Sequence, residues 1–199
     1  LHNTLSEKGF PVFDTIPAAS PDDVATCIAT LRKKGYKKAV VKAQIGASGV
    51  GMTGLSTNSG NINHIPEHFF FEGPCMVQGW LDETVKNVRH MGSPSIQLFL
   101  DDNTVSLYDI TEQILNSDSV HEGNLSPPPY FSKEDWVFEE LFRQAAAASI
   151  WLHEQGYRGT ASVDFLVVEH GGNVEVRVCE INARITGATY PSVIARHFL

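Results

Sequence analysis

The stretch at residues 158–191, RGTASVDFLVVEHGGNVEVRVCEINARITGATYP, limits the fold more than any other part of the chain. Thr160 to Val168 and Val174 to Asn182 are rich in Val, Phe and Ile, and Gly171-Gly172 between them is a hairpin signal. A three-residue connection, Gly171-Gly172-Asn173, would set His170 opposite Val174. Counting back pairs Val168 with Val176, Leu166 with Val178, and Asp164 with Glu180. Side chains alternate along a strand, so Asn182 shares the face of Glu180. One face of the hairpin is therefore expected to end in an Asp, a Glu and an Asn. A slip of one residue would separate them.

Two carboxylates held this close raise one another's pKa unless a cation sits between them. Oxygen ligands from Asp164, Glu180 and Asn182 suit Mg²⁺, which completes its octahedron with waters and phosphates. For an isolated Asp–Glu pair, incidental charge on a solvated hairpin end is the alternative. The turn at 184–189 adds a fixed cation, Arg184, and a glycine beside the carboxylates. A metal, an arginine and a glycine turn together point to a polyphosphate.

The rest of the chain frames this hairpin. Residues 1–10 read as a helix end stopped by Gly9, and 11–13 as a short strand. Ser20-Pro21-Asp22-Asp23 opens a helix that Gly35 closes, with Val24, Ile28 and Leu31 as its apolar stripe. A strand at 38–44 carries Lys42 and runs into a loop with Gly46, Ser48, Gly49, Gly51 and Gly54. Met52 stands where a P-loop needs lysine, and the polar LSTNSGNIN that follows is not the helix of a dinucleotide-binding unit. A glycine flap between two strands, closing its N–H groups over phosphates, fits better. A flexible glycine turn accounts for the loop alone equally well.

Residues 55–73 read as irregular with Phe69-Phe70-Phe71 buried, and His64 and His68, separated by Pro66, as incidental. Strands are expected at 75–81, 95–100 and 105–110, a long loop at 116–132, and a helix at 134–154 capped by Ser132. A last helix begins after Pro191.

At 199 residues and 42% hydrophobic, the chain can bury one large core or two small ones. A net charge of −8 argues against nucleic acid or an anionic membrane as partner. Cys27, Cys75 and Cys179 have no zinc spacing and read as reduced thiols of a cytoplasmic protein. No apolar run is long enough for a membrane span, and no signal peptide is visible. The first residue is Leu, so a fragment or processed form is expected.

Lys42 before the flap, the Gln78-Gly79-Trp80-Leu81 strand, and Asp164 with Glu180-Ile181-Asn182-Ala183-Arg184 resemble the ATP-grasp superfamily. Residues 93–97 (SPSIQ), 111–115 (TEQIL) and 180–189 (EINARITGAT) are similar to pheganomycin-type peptide ligases and related carboxylate–amine ligases. The resemblance implies an α+β ATP-grasp fold: two α+β subdomains, 1–82 and 83–199, whose antiparallel sheets grip ATP between them. The N-terminal substrate domain and a further nucleotide-binding lysine would lie upstream of residue 1.

It also implies roles. Lys42 would bind ATP phosphates under the flap of Gly46, Ser48, Gly49 and Gly51. The backbone of Gln78, Gly79, Trp80 and Leu81 would meet adenine, with Asp82 or Glu83 near the ribose. Asp164, Glu180 and Asn182 would hold Mg²⁺, Arg184 would steady the moving phosphoryl group, and 121–124 would form a loop near the acceptor. Gln78 stands where Glu is common, and Ser162 where D-alanine–D-alanine ligases carry arginine, which sets that subfamily aside. The implied reaction joins a small-molecule carboxylate to an amine, an amino acid or peptide, through an acyl-phosphate. It needs no side-chain nucleophile, and no Ser–His or Cys–His pair is visible. An inactive ATP-binding scaffold or regulator of the same fold is the alternative. A kinase-like transferase would lack a base for its hydroxyl substrate.

Overall fold

The computed structural model describes residues 1–47, 50–58, 65–81, 85–116, 121–129 and 135–198. The chain separates into two compact units. One comprises Leu1–Val12, His90–Glu169 and Asn173–Leu199; the other comprises Phe13–Arg89 and His170–Gly172. Residues 1–12 fall with the former, where the sequence division at 82/83 put them with the latter. The reason is hydrophobic: Leu5, in helix α1 (His2–Glu7), and Phe10 are buried in that unit's core.

The unit at 13–89 is built on a four-stranded antiparallel sheet in the order β1-β4-β2-β3. These strands are β1 (Thr15–Ala18), β2 (Lys38–Ala47), β3 (Val50–Ser56) and β4 (Cys75–Trp80). Helix α2 (Pro21–Lys33) starts as its sequence predicts, with Ser20 Oγ accepting from the Asp23 N–H at 3.2 Å. Its stripe of Val24, Cys27, Ile28 and Leu31 is buried with Ala39, Val41, Cys75 and Val77. Alternation then turns Lys38, Val40 and Lys42 of β2, and Met76, Gln78 and Trp80 of β4, to the opposite face. Lys42 pairs with Met76 on one side and Met52 on the other; beyond it the β2–β3 register shifts before resuming at Ala47–Val50.

Gly79 faces the other way and is closely covered. A methyl group there would stand 2.5 to 2.7 Å from the ring carbons of Tyr36. Tyr36 is fixed in turn, its hydroxyl donating to Asp14 Oδ2 at 2.9 Å, while Lys34 pairs with the other Asp14 oxygen. Gly79→Ala is therefore expected to lower unfolding stability by about 1–3 kcal/mol, as overpacking does. A urea titration with an unchanged midpoint would contradict this fit.

The second unit holds a six-stranded sheet in the order β10-β9-β6-β7-β8, with β5 beside β9. Its strands are β5 (Val88–Gly92), β6 (Pro94–Leu100), β7 (Val105–Leu115), β8 (His121–Leu125), β9 (Gly159–His170) and β10 (Asn173–Asn182). Helix α3 (Asp135–Glu154) buries Val137, Leu141, Ala145, Ala148 and Leu152 against Ile96, Leu98, Val163 and Phe165. Helix α4 (Thr189–Phe198) ends the described chain.

Several expectations are corrected. The 116–132 loop contains β8, a strand whose HEGNL sequence has neither alternation nor β-branched residues to announce it. The first strand begins at Thr15 rather than at 11–13, and Phe71 is 75% exposed although Phe69 is buried. The last helix begins at Thr189, two residues before Pro191.

The hairpin turn is tighter than its sequence suggested. β9 ends at His170 and β10 begins at Asn173, with Gly171 and Gly172 at φ 59° and 85°, the signature of a two-residue type I′ turn. His170 then stands opposite Asn173, so Val176 and Val178 join Val163, Phe165 and Val167 in the core, in place of the Val168–Val176 and Leu166–Val178 pairs. Val178 and Ile181 both pack on this core at odd spacing, so the alternation slips once between them. That slip returns Glu180 and Asn182 to the face of Asp164.

Candidate functional site

The face of the six-stranded sheet away from α3 is lined by polar residues at positions where an ordinary core strand would be apolar. Ser95 pairs with Asp164 on one side and Thr111 on the other, and Gln97 pairs with Ser162. Ser95, Gln97, Thr111 and Ser162 are all buried. Buried polar groups need partners: Gln97 bonds to Ser95, Ser162 to Asp164, and Thr111 to Asn124 Oδ1 at 3.4 Å.

Asp164 is the centre of the cluster. Its Oδ1 accepts from Ser95 Oγ at 2.6 Å and Ser162 Oγ at 3.2 Å, and its Oδ2 accepts from Asn182 Nδ2 at 2.9 Å. The same Asn182 nitrogen lies 3.3 Å from Glu180 Oε1. Asn182 Oδ1 accepts from Arg184 Nη2 at 2.8 Å, and the second Arg184 nitrogen, Nη1, donates to the Ile185 carbonyl at 3.3 Å. Burial first, and the charge of Glu180 second, push the Asp164 carboxyl up to about 6 against the pull of its three donors. The site thus carries two acids that repel, an amide between them, and an arginine at the rim.

On the sheet of the other unit, Lys42, Gln78 and Trp80 share one face, as pairing and alternation require. Gln78 is 2% exposed. Its Nε2 donates to Thr15 Oγ1 at 3.1 Å, and the Thr15 hydroxyl itself donates to the Phe13 carbonyl at 3.1 Å. The amide is therefore fixed by its neighbours, and its buried Oε1 accepts from no group among the described residues.

No protein-family model matches the chain. Among curated proteins it is similar to the [butirosin acyl-carrier protein]–L-glutamate ligase of Niallia circulans, 28% identical over 191 residues. The alignment covers 94% of this chain and 42% of that protein, so the chain spans less than half the length of this relative. Among solved structures, it superposes on N5-carboxyaminoimidazole synthetase from Staphylococcus aureus in complex with ADP. The TM-score is 0.65 at 17% identity, covering 97% of this chain and 46% of that one. Biotin carboxylase from Campylobacter jejuni, in complex with an ATP ligand, gives a TM-score of 0.68 at 16% identity, covering 97% and 41%. The chain has the ATP-grasp fold. Its mixed α and β elements on two antiparallel sheets are the architecture the sequence resemblance implied.

Within the ATP-grasp frame, the expected residues fall into two groups. Asp164, Glu180, Asn182 and Arg184 come together in one unit. Lys42, Gln78 and Trp80 share a face in the other, and Leu81 lies buried just past β4. Gly79 does not offer its N–H to a ligand, because that group donates to the Asp14 carbonyl at 2.8 Å. Gly46 lies in β2 and Gly51 in β3. Gly51 has φ 83°, and a side chain there would stand 3.2 Å from the Ile45 carbonyl, so only glycine suits the position. Ser48, Gly49, Asp82, Glu83, His64 and Ser132 lie outside the described residues.

The stretch 121–124, expected as a loop, is strand. The ring of His121 lies beside Gly187, 3.1 Å from where a Gly187 Cβ would be. Ser95, Gln97, Ser162 and Thr186 belong to the site and carry no role in the sequence reading. Their signal was present: Ser-x-Gln at 95–97 and Ser-x-Asp at 162–164 are polar alternations inside otherwise apolar strands.

The acids also bear on a metal. Among the described residues no three His, Cys, Asp or Glu side chains converge, so a cation would rest on Asp164, Glu180 and the Asn182 amide. Two hard carboxylates whose repulsion a cation would relieve fit Mg²⁺. Asn182 fits only with its amide turned, since its N–H₂ now points at both acids. All three cysteines are free; burial raises the Cys27 and Cys75 thiols, which keeps them protonated. Among the described residues no helix is long and apolar enough to cross a membrane.

Proposed function

We propose that the protein is an ATP-dependent ligase that joins a carboxylate to an amine through an acyl-phosphate, with Mg²⁺ at Asp164, Glu180 and Asn182. The observation that carries this is the cluster itself: two acids, an amide and an arginine gathered at one end of the hairpin. The named activity of the Niallia relative supports the class of reaction. An amino acid, a peptide or a carrier-bound acyl group is the substrate class, and the cytoplasm the setting.

The chemistry follows from charge. A substrate carboxylate oxygen attacks the γ-phosphorus, the bond to the ADP oxygen breaks, and ADP leaves. The amine nitrogen then attacks the acyl carbon, phosphate departs with the bonding pair, and the nitrogen loses a proton. A carboxylate is already ionised at pH 7, so the first step needs no base. Bound Mg²⁺ would screen the repulsion between two anions brought together. Arg184, with a guanidinium at the rim, would neutralise charge on the moving phosphoryl group. Lys42, on the face of its sheet away from α2, would hold phosphate, and the strand backbone at 78–81 would meet adenine.

Hydroxylamine trapping tests the reading. With ATP, Mg²⁺ and a panel of amino acids, peptides and acylated carriers, the intact protein should release ADP only with a suitable acid and yield its hydroxamate. ADP release with no trappable acyl group across the panel would defeat it. A second reading, an ATP-binding module without turnover, is favoured by one feature: the Asn182 N–H₂ fills the gap between the acids. Tight ATP binding with neither ADP nor hydroxamate would select that reading.

A further inference from the structure

A directed chain of hydrogen bonds runs behind Asp164. The Thr186 hydroxyl donates to Gln97 Oε1 at 3.1 Å, Gln97 Nε2 donates to Ser95 Oγ at 2.8 Å, and Ser95 donates to Asp164 Oδ1 at 2.6 Å. Every link points the same way. Gln97 is 0% exposed, so neither end of its amide has water as a substitute partner. Because Ser95 Oγ accepts from Gln97, its own proton is left for the carboxylate. Thr186 is tied at its other side: its N–H donates to Thr189 Oγ1 at 3.0 Å, and the two hydroxyls lie 3.2 Å apart. This fixes the turn that follows Arg184 to the first residue of α4.

We propose that Gln97 is a positioning residue which couples the Arg184 turn to Asp164, so that carboxylate and guanidinium are oriented together. The idea rests on the ligase reading for its kinetic consequence, though the coupling itself is a property of the fold. Gln97 touches neither acid. It acts through Ser95 on one side and Thr186 on the other. Within this relay, its amide has a donor at one end and an acceptor at the other that cannot be exchanged by rotating a hydroxyl. Gln97 therefore sets the direction of the relay. Replacing it with Glu would supply two acceptors, and Ser95 would then turn its proton away from Asp164.

The test uses the intact protein and three substitutions. Thr186→Val removes the first donor at nearly constant volume, Thr186→Ser restores it, and Gln97→Glu reverses the middle link. Loss of partners that orient a working carboxylate lowers activity about 10- to 100-fold. The expected result is therefore a fall of that size in kcat for Thr186→Val and Gln97→Glu. KM for ATP should stay within about twofold and Thr186→Ser should be near wild type, which fits an interaction felt in the transition state.

A readout independent of turnover accompanies it: the side-chain amide resonances of Gln97 and Asn182. Thr186→Val should move both, and Thr186→Ser should return them. An Asn182 resonance unmoved by Thr186→Val would overturn the coupling, whether or not the protein proves to be a ligase. So would a kcat loss that tracks melting temperature and is not rescued by Thr186→Ser. If no acid supports ADP release in wild type, the ligase reading fails alone and the resonances still decide the relay.

Discussion

Replacing Arg184 with alanine is expected to lower hydroxamate formation by about 10³-fold, the scale on which an arginine stabilises a transferring phosphoryl group. ATP affinity should change little, because the guanidinium matters most as charge moves between oxygens. Stability should also change little. Arg184 is exposed, bound among the described residues to Asn182 Oδ1 and the Ile185 carbonyl, and surface changes of this kind stay within about 0.5 kcal/mol. Arg184→Lys should recover only part of the rate, since an ammonium cannot hold Asn182 and a phosphoryl oxygen in a planar fork. Trapping kinetics at saturating ATP, beside nucleotide titration, separate these effects. A kcat within tenfold of wild type for the alanine variant would assign the charge to another cation.

The second large effect concerns Asp164 and runs against intuition, because removing a charge at the heart of the site should stabilise the metal-free protein. The Asp164 carboxyl is raised from 3.8 to about 6, chiefly by burial and then by Glu180. An acid whose folded pKa lies above its unfolded value stabilises the fold below the unfolded pKa. That contribution is lost as pH rises through the folded one. The window here is from about 3.8 to about 6. At pH 7.5 in a chelator, the ionised form carries a penalty of at most about 3 kcal/mol, so Asp164→Asn should be more stable by about 1–3 kcal/mol. At pH 3.5 the gain should vanish. Millimolar Mg²⁺ should stabilise wild type at pH 7.5 and leave the variant unmoved, while turnover by the variant is lost. An Asp164→Asn protein less stable than wild type in chelator at pH 7.5 would show that the three donors outweigh burial and repulsion.

How much of this was legible in the sequence depends on which force fixed each element. Helices α2 and α3 were readable because glycine stops and 3.6-residue stripes, and in α2 the Ser20 cap, are local signals. The acids of the hairpin were readable as a group, yet the path to them was not. Gly171-Gly172 permits either a two- or a three-residue turn, and only packing against α3 decides which valines enter the core. The expected three-residue turn and the observed two-residue turn plus one slip in β10 bring Glu180 to the same face by different routes. β5 and β8 were missed because VRHMG and HEGNL carry no period-2 pattern; their pairing comes from neighbours far along the chain. Ser95, Gln97 and Ser162 look like ordinary polar interruptions until the sheet pairs them with Asp164 and with each other. The roles of Lys42 and the glycines came from resemblance, and what the fold adds is their face.

The pairing of β2 has a mechanical meaning. Up to Lys42 the strand is clamped along both edges, by β4 and by β3. Past Lys42 the β4 pairing stops, and β2 and β3 go on as a ribbon of two strands whose register has shifted. A free two-stranded ribbon is a compliant beam, and a sheet of four is a stiff plate. Any bending of the glycine-bearing end is therefore taken up after the lysine, which sits at the root of the cantilever. Bending there would leave the Lys42 charge in place and displace only uncharged backbone amides.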